Sequence, residues 1–443
     1  MKSNHNNRRE FIKKAAGVTA GAILAPTILS SCAKGSNDRI YIAHIGNGGR
    51  GSGVTKSYFL PVPDSRSVAT CDPFTDRREK LAKEISAYYK EKYDETVECT
   101  PYLKFEELLE RSDIDAVHIA TGDYWHVPIA LAAARAGKHI YCEKPLGLSL
   151  DNMIELEKTM SQKNLVFQYG TQQRSLDHIK KGAEMVRSGK LGEIEKIDIW
   201  APGGQGVPKK SVEIKDPPAN LDYDRWLGPA PLKPYCDARV TNLGIWYIYD
   251  YAIGFIAGWG AHPLDVAIFG AKEQMNDTGT YTCSGKFFPE SVIYDTISEW
   301  DMNIEYKNGL KIHFVSTNLA EEMMKNLDHG NGTTFYGTKG WISLGRGAAA
   351  SSIPELHKEL NTTVYGENNR HGLNFIKSVK GEIEPFNPLD EAILSDCISH
   401  MGNILVRSGK EEVVWNPKSR EIENHPELVR EFFHRDLREP YGI

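Results

Sequence analysis

The sequence has few cysteines, and none of them stand in paired spacing. Seven occur in 443 residues, and the six beyond Cys32 are scattered without CxxC or CxH patterns. Structural zinc sites and disulfide frameworks depend on such patterns, so the sequence argues against both classes. The scattered thiols are expected to be buried apolar side chains, and no metal site is predicted.

Long apolar runs and an excess of positive charge are also lacking. The apolar run over residues 15–29 is interrupted by Gly17, Gly21 and Pro26, which makes it a poor membrane span. The net charge is −6, and it falls to −10 without residues 1–31. An acidic chain has no electrostatic footprint for nucleic acid, so no nucleic-acid partner is expected. With 40% hydrophobic and 25% charged residues, the composition is that of an ordinary globular protein.

The first 32 residues have the order of an export signal: basic, then apolar, then small residues. "NRREFIKK" resembles a bacterial twin-arginine signal, and "LSSC", which ends at Cys32, resembles a lipobox. The alternative is a cytosolic protein that begins with a basic helix. We expect residues 1–32 to be a twin-arginine and lipoprotein signal. The protein is then exported, periplasmic or anchored to a bacterial membrane, and a lipid on Cys32 is its only membrane contact.

Residues 38–170 are typical of a doubly wound nucleotide-binding domain. "RIYIAHIG" predicts a buried parallel strand that ends at Gly46. Gly46, Gly48 and Gly51 follow in "GNGGRG", where missing side chains let the backbone approach a pyrophosphate at the start of a helix. A second strand ends at Asp72, where a carboxylate meets a ribose. Further strands and helices alternate, which predicts a Rossmann-type parallel sheet with helices on both faces.

The acid after the second strand favours NAD over NADP. Asp72 can accept hydrogen bonds from both ribose hydroxyls, whereas it repels a 2′-phosphate. Arg77 and Arg78 follow closely, and they either soften this preference or are solvated helix residues. We therefore predict NAD as the cofactor, with NADP less favoured.

The pattern changes in the second half of the chain. An irregular stretch rich in proline and aromatic residues spans 201–258, and long alternating runs follow it, with a hairpin turn at Asn308-Gly309. This pattern predicts an α+β domain over residues 171–443 with a large, open, mostly antiparallel sheet. An open sheet has a face to cover, so this domain is expected to form an oligomer.

Several motifs resemble one family of oxidoreductases over residues 38–440. "HIYCEKPLGLS" resembles the Glu-Lys-Pro signature of the glucose–fructose oxidoreductase, inositol dehydrogenase and MocA family. "QYGTQQRS", "LDYDRWLGPAPLKPY", "GAHPLD", "FYGTKGW", "HGLNFIKSVKG" and "SHMGNILVRSGK" resemble a branch common among exported bacterial proteins. The resemblance implies a two-domain, NAD(P)-dependent sugar or polyol oxidoreductase that is a dimer or tetramer. Its substrate is expected on the face of the second sheet.

The same resemblance implies specific site residues. The family lysine, which touches substrate and the nicotinamide ribose, maps onto Lys144, and the family histidine maps onto His262. The family often has an aspartate four residues before that histidine, but this chain has Gly258. Asp265, three residues after His262, shares its face if the segment is helical. The proton-transfer group is therefore open between His262, Lys144 and a tyrosine of "WYIYDY".

The chemistry of these residues suits oxidation of an alcohol. A base with a pKa near 7 is best placed to take the hydroxyl proton as the hydride leaves. The pKa of His262 starts near that value, and that of Lys144 falls toward it beside a cationic nicotinamide; a protonated Lys144 would instead orient the hydroxyl. The aromatic residues of "WYIYDY" suit the apolar face of a sugar or a packed core.

Two residues that follow strands complete the candidate site. His126 follows a strand end, where ligands of such sheets bind, but it is also a plausible helix residue. Arg174 either holds a substrate oxygen or cofactor amide, or pairs with an acid. The predicted catalytic residues are Lys144, His262 and Asp265. The predicted cofactor-binding residues are Gly46, Gly48, Gly49, Arg50, Gly51, Asp72, Thr121, His126, Glu143, Lys144, Gln172 and Arg174.

Export and a soluble cofactor together constrain the reaction. The twin-arginine route carries folded proteins, and little free dinucleotide exists outside the cytoplasm, so the cofactor is expected to be tightly bound and restored at every turnover. We predict an oxidoreductase that acts on a saccharide or glycoside hydroxyl, for example at C3. One alternative is net glycoside hydrolysis through transient oxidation and elimination, as a relative of the family performs with N-acetylgalactosaminides. Another is a non-catalytic, glycan-binding surface lipoprotein.

Overall fold

The structure is a computed structural model that describes residues 39–442, apart from residues 205, 207–209, 242, 290–292, 328 and 367–369. The predicted export signal over residues 1–32, including Cys32, lies outside the described residues. The six cysteines in the described part are free, and all but the half-buried Cys283 are buried. In the same part of the chain, no helix is long and apolar enough to span a membrane.

Six parallel strands form the first sheet, in the order β3-β2-β1-β4-β5-β6. Both halves of the sheet wind outward from β1, which leaves a crevice where the strand order reverses between β1 and β4. The Rossmann-type parallel sheet predicted from the sequence is thereby confirmed. The strands are β1 (Ile40–Ile45), β2 (Ser65–Cys71), β3 (Thr100–Tyr102), β4 (Ala116–Ile119), β5 (His139–Cys142) and β6 (Phe167–Tyr169).

Nine strands form the second sheet, in the order β13-β12-β11-β7-β10-β9-β8-β14-β15. Among the described strands of this second sheet, only β7 and β10 pair in parallel, so the predicted open and mostly antiparallel sheet is confirmed. Gly309 turns the chain between β9 and β10 with a φ of 93°, a conformation that favours glycine. The strands are β7 (Ile194–Ala201), β8 (Gly279–Phe287), β9 (Ile297–Tyr306), β10 (Lys311–Ser316), β11 (Gly332–Gly337), β12 (Gly340–Gly345), β13 (Ala349–Ser351), β14 (Val413–Asn416) and β15 (Glu421–Ile422).

Helices cover both sheets. A π-helical turn (Thr55–Phe59) continues α1, and short 3₁₀ segments span Gln172–Ser175 and Thr317–Leu319. The α-helices are α1 (Gly49–Val54), α2 (Thr75–Tyr93), α3 (Phe105–Leu109), α4 (Asp123–Arg135), α5 (Leu150–Lys163), α6 (Asp177–Arg187), α7 (Tyr223–Leu227), α8 (Gly244–Tyr247), α9 (Phe255–Gly258), α10 (Ala261–Met275), α11 (Glu321–Met324), α12 (Pro354–Thr362), α13 (His371–Val379), α14 (Leu389–Ser408) and α15 (Glu427–Phe432).

The long helix α14 joins the two sheets. It packs on β8 and β9 of the second sheet and also on β6 and α5 of the first. Helix α13 lies against the first sheet as well, where Phe375 packs in a cluster with Phe59 and Tyr141. Residues from the second half of the chain therefore complete the core of the first sheet. This packing holds the carboxyl edge of the parallel strands against the second sheet.

Candidate active site

Two adjoining cavities lie along the carboxyl edge of the parallel sheet. The first, of about 400 Å³, is lined by residues 46 and 48–51 and by Asp72; we call it the loop cavity. The second, of about 530 Å³, is lined by Lys144 and His262; we call it the lysine cavity. Arg50, Ala120, Thr121 and Trp246 line both. The cavities therefore form one groove in the crevice where doubly wound sheets bind their ligands.

The glycines of the loop have two different roles. A Cβ atom at Gly46 would lie 2.4 Å from the carbonyl oxygen of Ala120, and one at Gly51 would lie 1.9 Å from the carbonyl oxygen of Gly46. These two glycines permit close packing of the loop. No described atom lies within 4 Å of a Cβ built at Gly49, so the backbone is open to the groove there. An open backbone at the start of a helix fits a pyrophosphate, which the N–H groups of that helix can bind.

Asp72 lies at the far end of the loop cavity and is held by two backbone amides. Its carboxylate accepts hydrogen bonds from the N–H groups of Asn47 at 2.6 Å and Phe74 at 2.9 Å. Burial raises the pKa of Asp72, although these two bonds oppose the shift. Each carboxylate oxygen keeps accepting capacity for a ribose hydroxyl.

The two arginines after Asp72 differ in position. Arg78 donates to the backbone oxygen of Asp72 at 3.0 Å and to the Thr75 hydroxyl at 3.0 Å, so it supports the strand end. Arg77 lines the loop cavity, with its guanidinium carbon 3.8 Å from the centroid of the Phe74 ring. Of these two arginines, Arg77 is therefore the one that lines the loop cavity, and the preference for NAD stays a prediction.

Lys144 occupies the centre of the lysine cavity. Its ammonium donates a hydrogen bond to the carbonyl oxygen of Gly258 at 2.6 Å and lies 5.1 Å from the centroid of the Trp246 ring. Burial lowers the pKa of Lys144, while the negative charges of Glu143 and Asp123 oppose the shift. A backbone carbonyl of Gly258 thus binds the ammonium at the position where the sequence lacks the expected aspartate.

Side chains from α14 and α4 bind the backbone of the turn that carries Lys144. Asp396 on α14 accepts hydrogen bonds from the backbone N–H groups of Leu146 at 3.0 Å and Gly147 at 2.9 Å. His126 lies on α4, and its Nδ1 donates to the carbonyl oxygen of Pro145 at 2.7 Å. Burial lowers the pKa of His126 to about 4, so it stays neutral. His126 lines the lysine cavity and at the same time fixes the turn next to Lys144.

The other predicted residues of this cavity form a polar wall. Glu143 accepts hydrogen bonds from Arg50 at 3.1 Å and from the Gln172 amide at 2.8 Å, and all three line the cavity. His262 lies nearby, and its Nδ1 has no hydrogen-bond partner among the described residues. Burial, followed by the charges of Lys144 and two arginines, lowers the pKa of His262 well below its usual value. The imidazole is therefore neutral and available to a ligand.

Arg174 and Asp265 pair with each other away from both cavities. Neither of these described residues lines either cavity. Arg174 donates from Nε at 2.8 Å and from its terminal nitrogen at 2.5 Å to the two oxygens of Asp265, and it also binds Glu391 at 2.5 Å. Because both side chains are fully buried and satisfied by each other, they join α10 to the segment after β6. For Arg174 this contact is the acid pair that the sequence left open, and the site roles predicted for both residues stay predictions.

The tyrosines of "WYIYDY" are also absent from the candidate site. None of the described residues Tyr247, Tyr249 and Tyr251 lines either cavity, because Tyr247 and Tyr251 pack in the core and Tyr249 faces another pocket. Trp246, at the start of the motif, is the residue that lines both cavities. Of the three proton-transfer candidates named from the sequence, Lys144 and His262 line the lysine cavity and the tyrosines do not.

Asp123 is a site residue that sequence reasoning missed. It follows β4, lines the lysine cavity and is only 3% exposed. Its Oδ1 accepts a hydrogen bond from Trp246 Nε1 at 3.3 Å, and its Oδ2 has no partner among the described residues. Burial raises its pKa to about 8. Its place two residues after Thr121, at the carboxyl end of a parallel strand, was the signal that could have found it.

Family models match nearly the whole described chain. The model of the Gfo/Idh/MocA oxidoreductase family for the NAD-binding Rossmann fold matches residues 40–171. The model for the C-terminal alpha/beta domain of the same family matches residues 177–443. The boundary between them falls just after β6.

Curated relatives and solved structures agree with these matches. A glycosyl hydrolase family 109 protein of Shewanella sp. (strain W3-18-1) is 28% identical over 216 residues, which are 43% of this chain and 45% of that protein. The chain spans less than half the length of the curated relatives it matches first.

Two solved structures show the same fold. An aldose-aldose oxidoreductase of Caulobacter crescentus, solved with glycerol, has a TM-score of 0.59 and 16% identity and covers 84% of this chain and 98% of its own. GenD2 from gentamicin A biosynthesis, solved with NAD, has a TM-score of 0.60 and 15% identity over 90% of this chain and 99% of its own. At this identity the likeness concerns the fold alone.

Proposed function

Because the chain belongs to the Gfo/Idh/MocA oxidoreductase family, we propose that it oxidises a hydroxyl group of a saccharide or glycoside with a bound dinucleotide. The observation that carries the proposal is the position of Lys144. Its ammonium lies in a cavity that continues directly into the groove beside the glycine loop. A hydroxyl held there lies next to the nicotinamide end of a dinucleotide bound along the groove.

Lys144 is suited to hold and polarise that hydroxyl. An ammonium group has three donors, and the contact with Gly258 uses one of them. The remaining donors bind a substrate oxygen inside the cavity. The lowered pKa of Lys144 also brings its amine closer to the range in which it transfers a proton near neutral pH. An oxidised dinucleotide supplies the acceptor for the hydride that leaves the same carbon.

The walls of the lysine cavity favour a sugar ring. Three aromatic residues, Trp246, Phe255 and Trp259, line it together with polar groups such as Glu143 and Gln172. Aromatic faces match the C–H faces of a sugar, and polar groups match its hydroxyls. A volume of about 530 Å³ lies within the usual range for small-molecule sites.

The proposal includes a retained cofactor and export. Asp72 lies in the loop cavity as an acceptor for ribose hydroxyls, which supports NAD over NADP. Aromatic residues, among them Trp125 and Trp226, line the same cavity and would shield a bound dinucleotide from exchange. Retention suits a protein carried folded through the twin-arginine route, where the cofactor must be restored within each turnover.

A second candidate is glycoside hydrolysis by transient oxidation. The name of the Shewanella relative, glycosyl hydrolase family 109 protein, favours it. Oxidation of a ring hydroxyl acidifies the neighbouring C–H bond, and loss of that proton with elimination of the aglycone forms a C=C bond. Water then adds across this bond, and reduction of the ketone restores the cofactor. The same groove and the same lysine serve both reactions, so only the identity of the products distinguishes oxidoreduction from hydrolysis.

Products from nitrophenyl glycosides distinguish the two candidates. The protein without residues 1–31 is incubated with a panel of nitrophenyl glycosides, and products are separated by chromatography. A keto-sugar that still carries the aglycone supports oxidoreduction, and released nitrophenol supports hydrolysis. If neither product forms and heat denaturation releases no nucleotide, both enzymatic candidates are contradicted. A glycan-binding protein is then the remaining hypothesis.

Lys144→Met tests whether the lysine carries the chemistry. The variant should keep about one dinucleotide per chain, because the glycine loop and Asp72 are unchanged. Its turnover should fall by on the order of 10²- to 10⁴-fold, as expected for loss of a proton-transfer group. The matched control is Lys196→Met, whose half-exposed amine pairs with Asp198 on the second sheet. A near-normal rate for Lys144→Met would overturn the assignment.

A further inference from the structure

Asp123 is more than a capping residue at the start of α4. A carboxylate in the first turn of a helix usually faces solvent or the free N–H groups of that turn. Asp123 instead faces the lysine cavity, is nearly fully buried, and receives a hydrogen bond from the indole of Trp246. Its Oδ2 has no partner among the described residues. A buried carboxyl oxygen without a partner is costly, so a ligand that bonds to it would offset that cost.

Trp246 places this carboxyl group beside Lys144. The indole donates to Asp123 Oδ1 at 3.3 Å, and the centroid of its ring lies 5.1 Å from Lys144 Nζ. Asp123 and Lys144 also shift each other's pKa through their charges. Gly258, by contrast, offers no carboxylate and binds Lys144 through its backbone only. Besides Glu143, the lysine cavity therefore has a second carboxyl group, which comes from α4 instead of the segment before His262.

We propose that Asp123 is the catalytic residue that accepts the substrate proton, with Lys144 orienting the hydroxyl; this rests on the proposed oxidation of a saccharide hydroxyl. In the forward step the substrate O–H bond breaks, and its proton passes to Asp123 Oδ2. The carbinol C–H bond breaks as a hydride and is taken by the oxidised dinucleotide, and the C=O bond forms from the electrons of the O–H bond. The products are a ketone, a reduced dinucleotide and a neutral carboxylic acid.

The reverse step uses the same group in its other form. Neutral Asp123 returns the proton to the carbonyl oxygen as a hydride returns to carbon, which restores both the cofactor and the carboxylate. The charge of Asp123 therefore follows the redox state of the site. A cationic oxidised nicotinamide favours the carboxylate, and a neutral reduced one favours the acid.

The groups around Asp123 set the pH at which it titrates. Burial raises its pKa to about 8, and the charge of Asp396 on α14 adds to that rise. Lys144 and the hydrogen bond from Trp246 oppose it. The other charged or titratable groups that line the cavity are Arg50, Tyr58, His126, Glu143, His262 and Arg346. Both histidines stay neutral because burial lowers their pKa values, so neither replaces Asp123 as the group that titrates near pH 8.

Asp123→Asn removes the charge and keeps the shape. The asparagine oxygen can still accept from Trp246, so the fold and the cofactor content should be unchanged. We expect turnover to fall by on the order of 10²- to 10⁴-fold, with KM altered far less than kcat. Asp198→Asn is the matched control, since Asp198 is a buried aspartate that pairs with Lys196 on β7 outside the groove. It should keep the wild-type rate and pH profile.

A second measurement needs no turnover. Tryptophan fluorescence of the wild type, which reports Trp246 among other indoles, should show a step near pH 8 that Asp123→Asn and Trp246→Phe both abolish. With the bound cofactor oxidised, the step should move to lower pH than with it reduced.

The two measurements separate the possible failures. Wild-type turnover of glycosides with a near-normal Asp123→Asn rate would overturn the role of Asp123 and leave the proposed function intact. If the wild type turns over no glycoside, the proposed function fails. The fluorescence measurement then tests whether Asp123 is the group that titrates in the cavity. A step that survives in Asp123→Asn, or no step at all, then refutes the assignment. A step that only the two variants abolish keeps Asp123 as the titrating group of the cavity.

Discussion

Replacing Arg174 with leucine should lower the free energy of unfolding by about 3–5 kcal/mol, because it leaves the carboxylate of Asp265 without its charge partner in a buried site and removes one of the two cations that pair with Glu391. Arg174 and Asp265 have side-chain exposures of 1% and 0%, and Glu391 is only 13% exposed. In the folded protein, Arg174 makes charge-assisted hydrogen bonds to both acids and also donates to the carbonyl oxygen of Phe386. The leucine variant loses all of them and fills only part of the volume.

Urea unfolding followed by circular dichroism measures this loss. Lys272→Met is the matched control, since Lys272 pairs with the same Glu391 at 3.1 Å but at the protein surface. Breaking such an exposed pair typically costs about 0–1 kcal/mol. Cofactor content per folded Arg174→Leu molecule should match the wild type, because Arg174 does not line the groove. Normal stability with lost cofactor would refute this reasoning and restore the cofactor contact predicted from the sequence.

Three further predictions concern separate parts of the molecule. Asp72→Ser should lower NAD content and improve the uptake of NADP, measured by mass spectrometry of released nucleotide; unchanged content would place Asp72 outside the site. His44 is buried against His118 Nδ1 at 3.1 Å and Ser67 Oγ at 2.7 Å, and burial lowers its pKa to about 3. The unfolded chain then binds a proton below about pH 6.5 that folded His44 does not, so stability present above that pH should fall by up to about 1.4 kcal/mol per pH unit on acidification. Urea unfolding from pH 7 to 4 should show a shallower slope for His44→Gln, and an equal slope would contradict this. Cys32→Ser should move the protein from the membrane fraction to the soluble fraction, and a wild type that is already fully soluble would exclude the lipid anchor.

Local patterns in the sequence were enough for the architecture. Short β-branched runs that alternate with helices predicted the parallel sheet, and the glycines after the first strand marked the loop that lies in the groove. Gly51 is required by its contact with the carbonyl oxygen of Gly46, so the spacing of these two glycines carries information locally, whereas the close contact of Gly46 is with Ala120, directly after β4. The same holds for Asn308-Gly309, whose turn depends only on backbone conformation.

The positions of Lys144 and His262 came from a motif resemblance, and both lie in one cavity. Asp265 was included from its helical spacing to His262 and Arg174 as one of two open roles, and the two residues pair with each other outside both cavities. Sequence alone left Arg174 open between a ligand contact and an acid partner, because either role needs the same residue type. Only the packing of α10 against the segment after β6 decided between them.

The sequence by itself determined the two sheets, the glycine loop and the lysine, since strand periodicity, turn glycines and short motifs act over a few neighbouring residues. Tertiary structure alone brought Asp123 into the same cavity as that lysine. Asp123 meets the Trp246 indole across 123 positions of sequence, and Lys144 meets the Gly258 carbonyl across 114. Burial sets the pKa values of such groups, and burial arises only when distant segments pack together.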